Sequence, residues 1–258
     1  MRKILATAVL LVGGWCVESL AFADDNCGDG FTTVQFMRDD LTSLKKNLET
    51  AIAAIPEPKA PYGKANQNWN LPSYTCQDKS GMRPIDVSYT AEYNTEGASQ
   101  KLAQEYQKQL MAAEAKGDYE SVMKITQEMQ SRVMSQASAT QGLSEIQIRV
   151  DANTAGSGTI DPDAVMRDGE GFIALRNSKD GSGNEQVSIW FDPVALKNAH
   201  QLASFDMNGD YRVDSKLALW SIEVSLSGPA SFLDDMVKNI DAAKVLGTLT
   251  TSRKKVNN

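Results

Sequence analysis

The most regular apolar pattern in the chain runs over residues 31–56. Val34, Met37, Leu41, Leu44, Leu48, Ala51 and Ile55 recur at alternating spacings of three and four. That spacing lays one narrow, coiled-coil-like seam along a helix. Thr32 and Gln35 stand at capping-box spacing, with Phe31 and Phe36 placed for a hydrophobic staple. Pro56 removes a backbone donor and stops the helix. A second helical pattern covers residues 98–139. Leu102, Tyr106, Leu110 and Ala113 mark one face; Val122, Ile125, Met129 and Val133 mark another. Lys116-Gly117-Asp118 between them supplies a left-handed cap and then an N-cap. This hairpin is the expected cover for the first seam, giving a three-helix N-terminal region. It is rich in Gln and in Met (Met111, Met123, Met129, Met134), side chains that fill a core or adapt to a partner.

Elsewhere the period falls to two. Ile85, Val87, Tyr89, Ala91 and Tyr93 suit one strand, and Ile146, Ile148 and Val150 suit a half-buried second. Residues 172–175 and 187–191 read as two more, joined by a Gly/Asp/Ser-rich connection. Asp192-Pro193 resembles an N-cap with proline at the first helical position, opening a short helix towards Ala203. Residues 217–226 form a strand whose apolar parity changes near Trp220, where a bulge is expected. Ser227-Gly228-Pro229 then opens a last helix with Phe232, Met236, Ile240 and Ala243 inward. Between the two helical patterns, Pro56, Pro58 and Pro61 favour an extended connector, and residues 63–84 read as irregular.

The expected fold is therefore α+β. A mainly helical region over 24–142 precedes an α+β domain over 143–250, with a mixed or antiparallel sheet and one or two helices. Residues 251–258, with Arg253-Lys254-Lys255, read as a disordered tail.

Composition and the termini add location. Arg2 and Lys3, an apolar run and Ala21-Phe22-Ala23 predict a signal peptide over residues 1–23. Its removal leaves Cys27 and Cys76, which an exported chain most simply joins as one disulfide. A periplasmic or secreted protein follows, with no integral membrane segment once the signal is cleaved. The net charge of −7, without an aromatic-interleaved basic stripe, argues against nucleic acid.

Signals of chemistry are few. Asp206, Asn208, Asp210 and Asp214 match positions 1, 3, 5 and 9 of a calcium loop, and the stretch resembles the loops of EF-hand and dockerin modules. Tyr211 replaces the turn glycine and Leu217 the closing acidic ligand, which leaves at most a weak calcium site. Asp161, Asp163, Asp168 and Glu170 crowd one loop, and His200 is the single histidine. No nucleophile elbow, zinc-binding helix, P-loop or haem-attachment motif accompanies them. The leading expectation is an exported, non-catalytic interaction or scaffold protein that uses its helical half for self-association or partner binding. The alternatives are a weak calcium- or small-ligand-binding module centred on residues 206–214, and a hydrolase using the loop carboxylates or His200.

Overall fold

The computed structural model describes residues 27–139, 145–179 and 184–256 of the chain. The expected signal peptide lies outside them. In chain order the elements are β1 (Thr32–Gln35), α1 (Arg38–Ile52), β2 (Gly63–Asn70), β3 (Tyr74–Asp78), β4 (Gly81–Met82) and β5 (Val87–Asn94). Next come α2 (Thr95–Glu114), α3 (Tyr119–Ala139), β6 (Ile146–Ala152), β7 (Ser157–Thr159), β8 (Val165–Gly169), β9 (Phe172–Lys179) and β10 (Asn184–Phe191). The chain finishes with β11 (Ser204–Asp206), β12 (Tyr211–Val213), β13 (Ile222–Pro229), α4 (Ala230–Asn239), α5 (Ala242–Leu246) and β14 (Arg253–Lys255).

This corrects the expected fold class. Among the described residues the protein is mostly β: 14 strands in three antiparallel sheets, with five helices making 32% of those residues. There is no three-helix N-terminal region. The division at residue 142 does not separate two bodies either. β5 from the first half pairs with β6 from the second, Val87 opposite Ala152 through Tyr93 opposite Ile146. A five-stranded sheet, β1-β3-β4-β12-β14, interleaves the halves again.

The reason lies in what covers the first helix. The helix begins at Arg38, because residues 32–35 are drawn into β1 opposite β3, with Thr33 facing Cys76. Its N-terminus is capped by the Asp40 carboxylate, which accepts the Met37 N–H at 2.8 Å, so Thr32 and Gln35 play no part there. Hydrogen bonding from the Lys216 ammonium and from that N–H holds Asp40 below the usual carboxylate range. The seam itself is real from Leu44 onward: Leu44, Leu48, Ala51 and Ile55 are buried. Its cover is a sheet, not the hairpin. These residues share one apolar cluster with Val87, Tyr89, Ile148, Val150, Val224 and Leu226, closed by Leu233 and Val245 of α4 and α5. Met37, at the seam's other end, is exposed.

That sheet has seven strands in the order β2-β5-β6-β13-β10-β9-β8. Strict alternation in β5, β6 and β13 turns Val87, Ile148, Val224 and their like to the helical layer. The opposite face is divided. Over β9 and β10 it carries a second core, where Ile173 joins Ile160, Leu196, Phe205, Met207, Val213 and Trp220. Over β2, β5, β6 and β13 it is polar.

The bulge expected near Trp220 is instead a crossing between the two cores, for Leu219 and Trp220 are both buried but in different clusters. Asn153 clamps this crossing in a left-handed conformation (φ 63°). Its side-chain amide donates to the carbonyls of Ile85 (2.8 Å) and Ala218 (3.1 Å), and its oxygen accepts from the Trp220 N–H at 2.9 Å.

The expected tail is part of the fold. β14 pairs with β12, and the Arg253 side chain is buried over the rings of Tyr211 and Trp220. The short helix expected after Asp192 is a run of turns ending in a 3-10 turn at Ala199–Gln201.

Candidate functional site

Cys27 and Cys76 are joined by a disulfide, fixing the start of the described chain to β3. The four oxygens expected to hold calcium are spread among other partners. Asp206 ends β11 and accepts the Asn208 N–H at 2.8 Å. Asp210 binds the guanidinium of Arg212, whose Nε also donates to Asp78 at 2.8 Å. That hydrogen bond from Arg212 pulls the Asp210 carboxyl below its usual range. Asp214, after β12, accepts from Lys254 at 3.2 Å and from the Ser252 hydroxyl at 3.3 Å. Among the described residues no group of three or more His, Cys, Asp or Glu side chains is gathered as a metal would need.

The loop carboxylates do not converge either. Asp161 caps a 3-10 turn through the Asp163 N–H, while Asp168 stands on β8 and Glu170 in the turn beyond it, all exposed. His200 is exposed on its 3-10 turn. Neither group forms a paired-acid or nucleophile–base geometry with the other.

Two features emerge that the linear pattern did not single out. The first is the bare polar face of the seven-stranded sheet. Cross-strand registers align Asn70, Ser88, Asp151, Glu223 and Trp190 in one row, and Asn68, Thr90, Arg149, Ser225 and Ser188 in the next. A depression of about 660 Å³ lies over these rows, and Asp86 joins Asn70 in its lining. Arg149 grips Asp151 with two hydrogen bonds of 2.7 and 2.9 Å. Burial, with the Asp151 charge opposite, pushes the Glu223 carboxyl above its usual range. The same two causes raise Asp86. This trough can offer hydrogen bonds and a proton, but it is wide and holds no activated nucleophile. The polar parity of Gln147, Arg149 and Asp151 is visible in sequence. Which strands lie side by side is not.

The second feature is an arm. β5 and β6 are a directly paired antiparallel ribbon whose connection has been expanded into α2 and α3. The helices match the hairpin read from sequence, and Asp118 caps α3 by accepting the Ser121 N–H at 3.1 Å. Its placement differs from the expectation. α2 lies against β2, β5 and α3, where Tyr106 and Ala113 are buried. From Tyr119 to Arg132, α3 has no buried side chain. At 1.5 Å per residue these helices are each about 30 Å long.

The large exposed hydrophobics among the described residues are Met37, Met111, Tyr119, Met123 and Val194. Three of these five flank the tip of the arm, with Tyr119 81% and Met123 73% exposed. At the arm's base, Glu57 binds Lys64 at 2.7 Å and accepts the Tyr93 hydroxyl at 3.3 Å. Burial, and then the Glu57 charge, push the Tyr93 phenol up to about 12. These contacts fix where the ribbon ends and the helices begin.

No helix among the described residues is long and apolar enough to cross a membrane. No protein family, curated protein or solved structure matches the chain.

Proposed function

We propose that this chain is an exported, non-catalytic interaction protein in which a rigid β body presents the α2–α3 arm to a protein partner. Export is supported by the signal-like pattern over residues 1–23 and agrees with the Cys27–Cys76 bridge. The observation that carries the contact role is the concentration of exposed Met111, Tyr119 and Met123 at the end of an insertion. Among the described side chains, neither apolar core of the body includes an arm residue. Isolated exposed hydrophobics are ordinary on a protein surface; a group of them on a projecting element is a signature of contact.

The test removes the arm. Because Tyr93 faces Ile146, an Asn-Gly turn can join residues 94 and 145 and close the ribbon as a tight hairpin. The shortened protein is expected to keep the cooperative unfolding of the body. Cells making it should show the phenotype of cells lacking the protein altogether. Full function from the shortened, normally accumulated protein refutes the reading. The substitutions Asp151→Asn and Glu223→Gln in the trough are expected to leave that function intact, and a loss there would favour chemistry at the sheet face.

A further inference from the structure

We propose that Asn208 and Gly209 form a self-modification site, and that conversion of Asn208 to isoaspartate releases the C-terminal strand β14 from the body. The site lies in the loop between β11 and β12 and is independent of the arm. Asn208-Gly209 is the single Asn-Gly step in the sequence. Both residues are exposed and lie outside helix and strand. The Asn208 N–H is tied to the Asp206 carboxylate at 2.8 Å. Among the described residues, neither the Asn208 side-chain amide nor the Gly209 N–H has a hydrogen-bond partner. Electrophile and nucleophile are therefore adjacent and both free. Glycine is fixed at 209 by packing, since a β-carbon there would stand 2.9 Å from the Tyr211 ring. No other residue type leaves the backbone nitrogen that follows an asparagine so unhindered. Asn177, followed by serine, shows the contrast: it is held in β9, and its amide donates to the Ser188 hydroxyl at 2.9 Å.

The chemistry needs only water. The Gly209 nitrogen attacks the Asn208 side-chain carbonyl carbon, a C–N bond forms, and a five-membered succinimide closes. The bond from that carbon to Nδ2 breaks, and ammonia leaves with the proton that Gly209 gives up. Water then opens one of the two C–N bonds of the ring. Opening at the former side-chain carbonyl gives aspartate. Opening at the former main-chain carbonyl gives isoaspartate, whose peptide link runs through the side chain and carries one extra carbon, about 1.5 Å of added main chain.

That extra atom falls between two anchored points. Met207 is fully buried in the second core, and its N–H donates to the Gly156 carbonyl at 2.7 Å. Asp210 binds Arg212, and its carbonyl accepts the Val256 N–H at 2.8 Å, just past β14. Tyr211 packs on Trp220 and meets the Arg253 guanidinium. Lengthening the link must displace one end. The Met207 end is enclosed, whereas Asp210 and Tyr211 border β14, which is the edge strand of its sheet. The Val256 hydrogen bond and the Arg253 stacking are therefore what the converted chain gives up, so β14 opens locally while the rest of the body stays folded.

The test ages the purified full chain in warm, mildly alkaline buffer and maps its peptides by mass. Isoaspartate and aspartate should accumulate at position 208 ahead of every other asparagine. The aged protein should show a lower urea midpoint, and an arginine-specific protease should cut after Arg253 at least about tenfold faster, because cleavage follows the population of the opened strand. Asn208→Gln, treated identically, should keep its midpoint and its protection. Freshly prepared Asn208→Asp adds the charge without the extra main-chain atom and should behave as unaged wild type. Another asparagine converting first overturns the site. An isoaspartate form with unchanged midpoint and protection overturns its coupling to β14. So does equal loss of protection in aged Asn208→Gln or in fresh Asn208→Asp.

Discussion

Arg253→Ala is expected to cost far more than the loss of a residue five positions from the end of a chain normally does. The Arg253 side chain is 5% exposed and donates to the Asp192 carboxylate at 2.8 Å, and the Asp192 side chain is fully buried. Its guanidinium lies 4.6 Å from the centre of the Tyr211 ring and 4.4 Å from that of Trp220. Asp192 also accepts the N–H groups of Val194 and Ala195 at 2.8 and 2.9 Å, which hold it in place but do not neutralise it. Removing the cation strands a buried charge, a loss of about 3–5 kcal/mol, and the uncovered Trp220 face adds to it. Against a typical stability of about 5–15 kcal/mol, the variant should be visibly destabilised at room temperature.

The assay is urea unfolding followed by tryptophan fluorescence, since Trp220 sits under the guanidinium. Arg253→Lys keeps the charge but not the planar fork or the stacking, and should fall between wild type and Arg253→Ala. Arg253→Met combined with Asp192→Asn should lose less than Arg253→Ala alone, because no unpaired charge remains. A change below about 0.5 kcal/mol for Arg253→Ala, the size usual at plain surface sites, would show that the last strand is frayed and the reasoning wrong.

Three further outcomes test the body. Asn153→Ala strands the Ile85 and Ala218 carbonyls and the Trp220 N–H and places alanine at positive φ. A loss of about 3–5 kcal/mol in denaturant is expected, and Asn153→Asp, which keeps the acceptor but not the donors, should also be destabilised. Glu223, whose carboxyl is raised by burial and by Asp151, binds its proton more tightly folded than unfolded. Between its ordinary value of 4.5 and the raised one, stability must fall as pH rises. Glu223→Gln should therefore raise the melting temperature at pH 7 and leave it unchanged near pH 4; a pH-independent difference contradicts the assignment. Replacing Cys27 and Cys76 together by serine frees a loop closed across 49 positions. The chain-entropy treatment gives a loss of about 4 kcal/mol, readable as a lowered melting temperature that reductant no longer affects.

What could be read from the linear chain was set by how local the cause is. β5, β6 and β13 declared themselves because each buries one face, so polar and apolar residues alternate within a few positions. The α2–α3 hairpin did so because its turn chemistry at Gly117 and Asp118 is contiguous. β2 left no such trace. It is an edge strand exposed along most of its length, so Lys-Ala-Asn-Gln-Asn carries no alternation to detect. The helical spacing of Val34, Met37 and Leu41 continued the true seam by coincidence, because pairing with β3 outweighs helix propensity at residues 32–35. Arg253 looked like one of three tail cations, and only the approach of Asp192, 61 positions away, makes it a buried partner. The trough failed to show for the same reason: Asp86, Arg149, Asp151 and Glu223 become neighbours through strand order, not through spacing.

The division of labour between body and arm follows from where the stabilising area lies. Both apolar cores are closed by strands, the loops between them and α1, α4 and α5, with the disulfide and Asn153 fixing crossings that strand pairing alone leaves unspecified. None of the arm's described side chains belongs to either core. Ordering its backbone costs about 1–2 kcal/mol per residue, and among its described side chains little apolar surface is buried in return beyond Tyr106 and Ala113. A two-helix hairpin can bury only the inward strip of each helix, so Val122, Ile125 and Met129 remain half-exposed while Tyr119 and Met123 stay in water. The element least needed by the fold is thus the one whose own packing is left least complete.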